Sequence, residues 1–244
     1  MNAKQAAAHK AVAYIKDGMI VGLGTGSTAF WAIQYLAEKV QQGLRVTAIA
    51  TSDETEKIAR QCGIAVVELD TVDHIDIDID GADEIDGEMN LIKGGGGALL
   101  REKIVAAASR EFIVIADNSK QVEVLGKFPL PVEIIPFGWR HTAAQLAALG
   151  CYTLLRERED KTFITDNGNY ILDCHFSSIT DPATGGPHTA HTTNPVPFVA
   201  VRGGAPRARR GLPPGAGGPP PPPAGGGGGG GGCGGGEGGG AGGG

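Results

Sequence analysis

MIVGLGTGST, Met19 to Thr28, limits the fold of this chain more than any other stretch. Its apolar run is too short for a buried helix and closes on glycine, so it reads as a buried strand. Ser27 or Thr28 then caps a helix, AFWAIQYLAEKVQQ, that stops at Gly43. The same pattern recurs. RVTAIAT predicts a second strand, Asp53 with Glu56 a capping box for a helix to about Cys62, and IAVVEL a third strand. Ile75 to Asp80 gives another strand, ALLREKIVAAAS a helix, and EFIVIAD a strand ending at Asp117. Ahead of them, residues 3–16 place Ala6, Val12, Ala13 and Ile15 at helical spacing, with Gly18 where a left-handed helix end is wanted. Alternating strand and helix predict a mostly parallel sheet, a doubly wound, Rossmann-like α/β domain over residues 1–127.

After the breakers in KFPLPVEIIP the rhythm changes. VEII reads as a strand, WRHTAAQLAALG as a helix, CYTLLRE as a strand, and FITDNGNYILD as a hairpin turning at Asp166-Asn167-Gly168. This predicts a second, smaller α+β domain over residues 128–183, a split βαβ order that is incomplete by one helix and one strand. The remainder offers neither. From Thr184 to Gly244 the chain holds 25 of its 41 glycines and 11 of its 15 prolines, so burial there cannot offset the entropy of ordering. Residues 184–244 are expected to be a disordered Gly/Pro-rich tail.

The tail's four arginines against one glutamate leave it at +3, so the chain's formal −6 resolves to −9 over residues 1–183. An acidic folded part argues against a nucleic-acid partner. Cys62, Cys151, Cys174 and Cys233 lie far apart without zinc-like spacing and read as reduced thiols. MNAKQAAAHKAVAYIK is interrupted by polar residues, so it reads as neither leader nor membrane span, and a cytoplasmic protein is expected.

Glycines between a strand and a helix let backbone N–H groups and the helix N-terminus meet an anion. VGLGTGST lacks the Lys-Ser/Thr of a Walker loop and the spacing of a dinucleotide fingerprint. With Thr25, Gly26, Ser27 and Thr28 together, it predicts a phosphate site rather than a bare turn. In HIDIDIDGADEIDGEMNLIKGGGG, His74 to Gly97, Ile75, Ile77 and Ile79 share one strand face and Asp76, Asp78 and Asp80 the other. Asp76 and Asp78 read as solvated strand pattern. Asp80 ends the strand, at the sheet edge where open α/β folds bind ligands. Asp83 and Glu84 follow it, Lys93 precedes four glycines, Glu102 sits on the first turns of the next helix, and Lys120 follows Asp117. A phosphate turn, carboxylates for proton transfer and a lysine for a developing oxyanion together suit proton abstraction beside a carbonyl. The rival is a Mg²⁺ site of Asp80, Asp83 and Glu84, disfavoured because Lys93 would compete with the ion. His9, His74, His141 and His175 occur singly and read as surface or core residues.

VGLGTGST, DGADEID, LIKGGGGALLREKI, ADNSK, LGKFPLPVEI and TDNGNYILD, in this order from about Lys4 to Ala183, resemble type A ribose-5-phosphate isomerases. The resemblance implies an intramolecular oxidoreductase of the pentose phosphate pathway that interconverts D-ribose 5-phosphate and D-ribulose 5-phosphate. It also implies no metal or organic cofactor and a homodimer or homotetramer. By resemblance Glu102 is the base that moves a proton through a cis-enediolate, Asp80 and Asp83 assist ring opening and hydroxyl proton transfer, and Lys93 stabilises the enediolate oxygen. Thr25, Gly26, Ser27, Thr28, Lys4 and Lys120 correspond to substrate and phosphate contacts. Sugar-phosphate sensor domains and acyl-CoA transferases share such sheets. A sensor would bind phosphate without the base, and a transferase would carry its nucleophilic carboxylate in another motif.

Past ITDPA the family continues with a helix, a strand and a closing segment. This chain instead reads TGGPHTAHTTNPVPF and then Gly, Pro, Ala and Arg, the residues a GC-rich coding sequence yields in a wrong frame. The tail is read as a frameshift product, and the alternatives to an active isomerase are an inactive truncated isomerase or a non-catalytic sugar-phosphate-binding domain.

Overall fold

A computed structural model describes residues 1–180, 182 and 198–202. The first part of the chain runs α1 (Ala3–Val12), β1 (Ile20–Leu23), α2 (Ala29–Gln41), β2 (Thr47–Ala50), α3 (Asp53–Gln61) and β3 (Ala65–Val66). It continues through β4 (Ile75–Gly81), β5 (Glu84–Ile85), β6 (Leu91–Ile92), α4 (Leu99–Ala107) and β7 (Ser109–Ala116). Then come β8 (Leu130–Ile134), α5 (Trp139–Ala147), β9 (Tyr152–Leu155), β10 (Glu157–Arg158), β11 (Lys161–Thr162), β12 (Tyr170–His175) and β13 (Phe198–Arg202).

Six strands form a parallel sheet in the order β13-β7-β4-β1-β2-β3. The chain leaves β1 for β2 and β3 on one side and resumes at β4 on the other. The order therefore reverses between β1 and β4, and their carboxyl ends open a crevice. This is the doubly wound α/β architecture that the alternating pattern predicts.

A parallel sheet buries both faces. Val21, Leu23, Ile77, Ile79, Ile113 and Ile115 pack with Ala7 and Ala11 of α1 and Ile33 and Leu36 of α2. Phe112, Val114 and Ala116 alternate to the opposite face, where Ala106 of α4 meets them. The isoleucines of IDIDIDG thus lie where period 2 predicts, but the aspartate face is not solvated. Asp78 and Asp80 are fully buried. Asp76 is largely buried, accepting the Ile20 N–H at 2.9 Å and pairing with Arg110 at 3.1 Å. Solvated strand pattern is therefore the wrong reading of Asp76 and Asp78, because helices cover both sides of this sheet.

Some local signals shift. Helix α1 ends at Val12, short of residue 16, and starts from a capping box between Asn2 and Gln5. Helix α3 is capped by Ser52, whose Oγ accepts the Thr55 N–H at 3.0 Å, so Asp53 is its first residue rather than its cap. β12 lies between β8 and β9 in a separate antiparallel sheet, with Leu146 of α5 packed against Ile134, Leu172 and Cys174. The turn predicted at Asp166-Asn167-Gly168 forms, with the Gly168 N–H donating to the Thr165 carbonyl at 2.8 Å and Gly168 at φ 76°, but no hairpin strands flank it: β12 pairs with β8 and β9 instead, and Phe163 is in no strand. The tight hairpin is β10–β11, where Glu159 and Asp160 both take left-handed φ (53° and 59°), the backbone that a two-residue turn needs to match strand twist. Within the segment expected to be disordered, β13 adds an edge strand beside β7, which corrects that expectation for residues 198–202. The rest of that segment lies outside the described residues, save Pro182 just ahead of it. Among the described residues no helix is long and apolar enough to cross a membrane.

Candidate active site

The crevice between the carboxyl ends of β1 and β4 is a pocket of about 240 Å³. Its wall includes Lys4, Thr25, Gly26, Ser27, Thr28, Asp83, Lys93, Glu102 and Lys120. Every residue to which the resemblance assigns a role lines it except Asp80, which lies one layer beneath, wholly buried.

Asp80 can lie there because glycine follows β1 directly: a Cβ on Gly24 would fall on the Asp80 carboxylate. The VGLG glycines thus make room for carboxylates as well as forming a turn. Asp80 Oδ1 accepts the N–H of Thr25 at 3.2 Å and of Gly81 at 2.6 Å. Its Oδ2 accepts Lys93 Nζ at 2.8 Å, and the same ammonium donates to the Gly81 carbonyl at 2.7 Å. Lys93 Nζ also lies 3.1 Å from Glu102 Oε2. Two buried carboxylates therefore share one ammonium at the pocket floor.

The electrostatics follow from that sharing. Burial pushes the Glu102 carboxyl up, the Asp80 charge pushes further, and Lys93 opposes them, leaving a pKa of about 7. Burial alone would pull the Lys93 amine down. Asp80 and Glu102 together outweigh it and hold the amine above its ordinary value, so it stays charged. A carboxylate that titrates near neutrality beside a fixed cation can take up and return a proton.

Asp83 accepts the Gly95 N–H at 2.7 Å, and a Cβ on Gly95 would strike that carboxylate. Glu84, weighed above as a metal ligand with Asp80 and Asp83, turns away to accept the N–H groups of Gly126 (2.8 Å) and Phe128 (2.5 Å). At the other end Lys4 Nζ donates to Ser27 Oγ at 2.9 Å, beside the N-terminus of α2, where Thr28 is the N-cap with no side-chain bond of its own. Lys4, Lys120, the α2 amides and Ser27 together suit an anion.

Thr25, grouped in the sequence with the phosphate turn, spends its hydroxyl beneath that turn. Its Oγ1 lies 2.8 Å from both Thr51 Oγ1 and Ser52 Oγ, and 3.2 Å from Thr55 Oγ1. These buried hydroxyls brace the turn from β2 and α3. The cluster TSDET at the carboxyl end of β2 is the signal that points to them.

Arg156 is a second residue missed. It pairs with Asp173, Nε to Oδ2 at 2.8 Å with Nη2 on Oδ1. Its Nη1 donates to the carbonyls of Gly94 (3.1 Å) and Gly95 (3.2 Å), which fixes the glycine loop from the smaller sheet. No sequence signal marks it, since the partners lie 61 and 62 residues away.

A doubly wound sheet with a glycine turn and two buried carboxylates sharing an ammonium at its topological switch is an α/β enzyme scaffold. The family model for ribose 5-phosphate isomerase A (phosphoriboisomerase A) matches residues 47–193, and the chain belongs to that family. Ribose-5-phosphate isomerase A of Bacillus mycoides (strain KBAB4) is 55% identical over 176 residues, covering 72% of this chain and 80% of that protein. The solved ribose 5-phosphate isomerase from Plasmodium falciparum superposes with a TM-score of 0.76 at 40% identity, over 81% of this chain and 92% of that one. A D-ribose-5-phosphate isomerase solved with phospho-erythronic acid gives 0.72 at 41% identity, over 75% of this chain and 83% of that one.

Proposed function

We propose that this chain interconverts D-ribose 5-phosphate and D-ribulose 5-phosphate by moving one proton between C2 and C1 of the open-chain sugar. The Glu102 carboxylate takes the C2 proton, and the C–H electron pair becomes the C1–C2 double bond of a cis-enediolate. Lys93 meets the charge that develops on the C1 oxygen. Glu102 then returns the proton to C1, while Asp83 passes the hydroxyl proton from O2 to O1, leaving a carbonyl at C2. C1 is reduced as C2 is oxidised, so the reaction balances within the substrate and calls for no redox cofactor. Asp80 serves by holding Lys93 and the Thr25 turn. Lys4, Ser27, Thr28 and Lys120 take the phosphate, with Gly26 and Thr25 shaping its cradle.

The observation that carries this reading is the single ammonium shared by Asp80 and Glu102 at 2.8 and 3.1 Å. A sugar-phosphate sensor would gain nothing from burying that pair. Phospho-erythronic acid, bound by a relative, is by its name a phosphorylated sugar acid, with anionic groups matched to both ends of this pocket. Glu102→Gln should lower exchange of the C2 proton with solvent by about 10²–10⁴-fold while a phosphorylated sugar acid still binds. Near-normal exchange would sink the assignment, and binding without exchange in the unmutated chain would leave the non-catalytic reading.

The assembly we propose is a homodimer or homotetramer, supported by large apolar side chains exposed on the smaller sheet; light scattering of purified protein tests it. The setting we propose is the cytoplasm, supported by free thiols at Cys62, Cys151 and Cys174. We also propose that residues 184–244 come from a shifted reading frame, supported by their holding 25 of the chain's 41 glycines and 11 of its 15 prolines. A coding sequence without an inserted or deleted base near codon 184 would exclude that origin.

A further inference from the structure

Asp78, unlike the buried acids Glu84 and Asp86, which accept backbone N–H groups, has neither a part in the reaction nor a partner that explains it. It is 0% exposed, and neither of its oxygens has a hydrogen-bond partner. The Ile79 N–H is near but outside bonding geometry. In register beside it stand Gly22 of β1 and Phe112 of β7. Over it lies α4: a Cβ on Gly22 would sit 2.6 Å from Asp78 Oδ1 and 2.8 Å from Val105 Cγ1. Gly22, Phe112 and Val105 offer neither charge nor donor. The charged groups that act on Asp78 are Asp80 two residues along β4, Glu102 one turn before Val105 on α4, and Lys93.

We propose that Asp78 is a positioning residue of this site, a carboxylic acid that keeps its proton while Glu102 is ionised and so limits the buried negative charge around Lys93 to two carboxylates. The proposal rests on the reading of Glu102 as the base. An unpaired carboxylate in an apolar slot costs far more than the neutral acid, and every buried orphan polar group calls for an explanation. With Asp78 ionised, three carboxylates would face one ammonium. Glu102 would then hold its proton more tightly and be unavailable near neutrality. With Asp78 neutral, Asp80 and Glu102 divide Lys93 between them. Burial first and the Asp80 charge second push the Asp78 carboxyl well above its ordinary value, in the direction this needs. The two acids then titrate as a pair. Glu102 ionises first, and loss of the Asp78 proton at alkaline pH puts a third carboxylate near Lys93, which draws the ammonium away from the developing oxyanion and closes activity from above.

The test uses the full chain and two readouts. In infrared difference spectra at pH 8, wild type minus Asp78→Asn should show the C=O stretch of a protonated carboxyl, lost in the variant. In the pH profile of kcat/KM, Asp78→Asn should keep the acid limb near pH 7 and move the alkaline limb up by at least about one pH unit. A merely structural residue would lower the whole profile without moving either limb. An acid limb displaced downward by about a unit or more, or no carboxyl band, would overturn the proposal. If Asp78→Asn does not fold, the unmutated chain serves: with aspartate carrying carbon-13 at its side-chain carboxyl, an isotope-shifted protonated-carboxyl band should be present at pH 8, and its absence overturns the proposal equally. Turnover surviving in Glu102→Gln would instead refute Glu102 as base, with the band still reporting on Asp78.

Discussion

The two sheets differ in how completely they are covered. The six-stranded sheet is packed on both faces and holds the pocket at its edge. The smaller sheet packs one face on α5, while Ile135, Phe137, Leu149, Tyr152, Leu154 and Ile164 around it are exposed. Chemistry is concentrated in the covered sheet, yet it is not independent of the other. Arg156 reaches from the smaller sheet to the carbonyls of Gly94 and Gly95, and Gly95 donates to Asp83. Arg101, next to Glu102, binds Asp53 at 2.6 Å, the Asp166 carbonyl at 3.1 Å and Asn167 Oδ1 at 3.0 Å. The weaker region therefore shapes the pocket of the stronger one.

Arg156→Ala tests that dependence most severely. It removes one partner of a largely buried ion pair, strands Asp173 and frees two loop carbonyls, so a loss of about 3–5 kcal/mol is expected. Thermal melts should show the loss, and kcat/KM should fall even where the protein remains folded. Retained activity in a folded variant would mean that the two regions are energetically separate.

Glu102→Gln probes the covered region alone, through pH. The folded-state pKa, about 7, lies above the ordinary 4.5, so the native state binds the proton more tightly than the unfolded chain. Stability from this group is present in acid and lost as pH rises from about 4.5 to 7. The glutamine variant escapes that loss and should gain up to about 3 kcal/mol at pH 8 while gaining nothing at pH 4. Denaturant melts at both pH values measure the difference. An equal effect at both would show that Glu102 is not held in a charge-hostile site.

Much of this arrangement was legible in the chain. Glycine-closed apolar runs located β1 and β4, and the switch-point rule then brought the 24–28 turn, Lys93 and Glu102 to one edge without any contact being known. What stayed hidden has specific causes. IDIDIDG reads as a half-wet strand because period 2 reports alternation, and only the helix covering both faces decides whether the polar side is wet. Asp78 was passed over for that reason. Arg156 lay beyond reach because its loop partners are remote in sequence. The turn at Asp166-Asn167-Gly168 was legible, but the paired hairpin lies at Glu159-Asp160, where two charged residues accept left-handed backbone and give no local signal.

Arg101→Ala should cost less than Arg156→Ala. Its ion pair with Asp53 is solvent-exposed, and exposed pairs contribute about 0–1 kcal/mol. Its effect should appear as a raised KM, because the contacts it loses hold α4, which carries Glu102, to Asp53 of α3 and to the 166–167 turn. A change confined to stability, with KM unmoved, would remove that turn from any part in shaping the site.

Phe137→Ser is expected to have the smallest effect on the fold and the most selective one. Phe137 is 94% exposed, so the isolated chain loses almost no burial, and a change within about 0.5 kcal/mol is expected. The same side chain should matter to association, since contiguous exposed apolar groups favour contact between molecules. Light scattering across a concentration series should therefore show weaker self-association with an unchanged melt. A melt that falls with association unaltered would place Phe137 in the packing of the small sheet, and the contrast between a sealed and an open region would have to be redrawn.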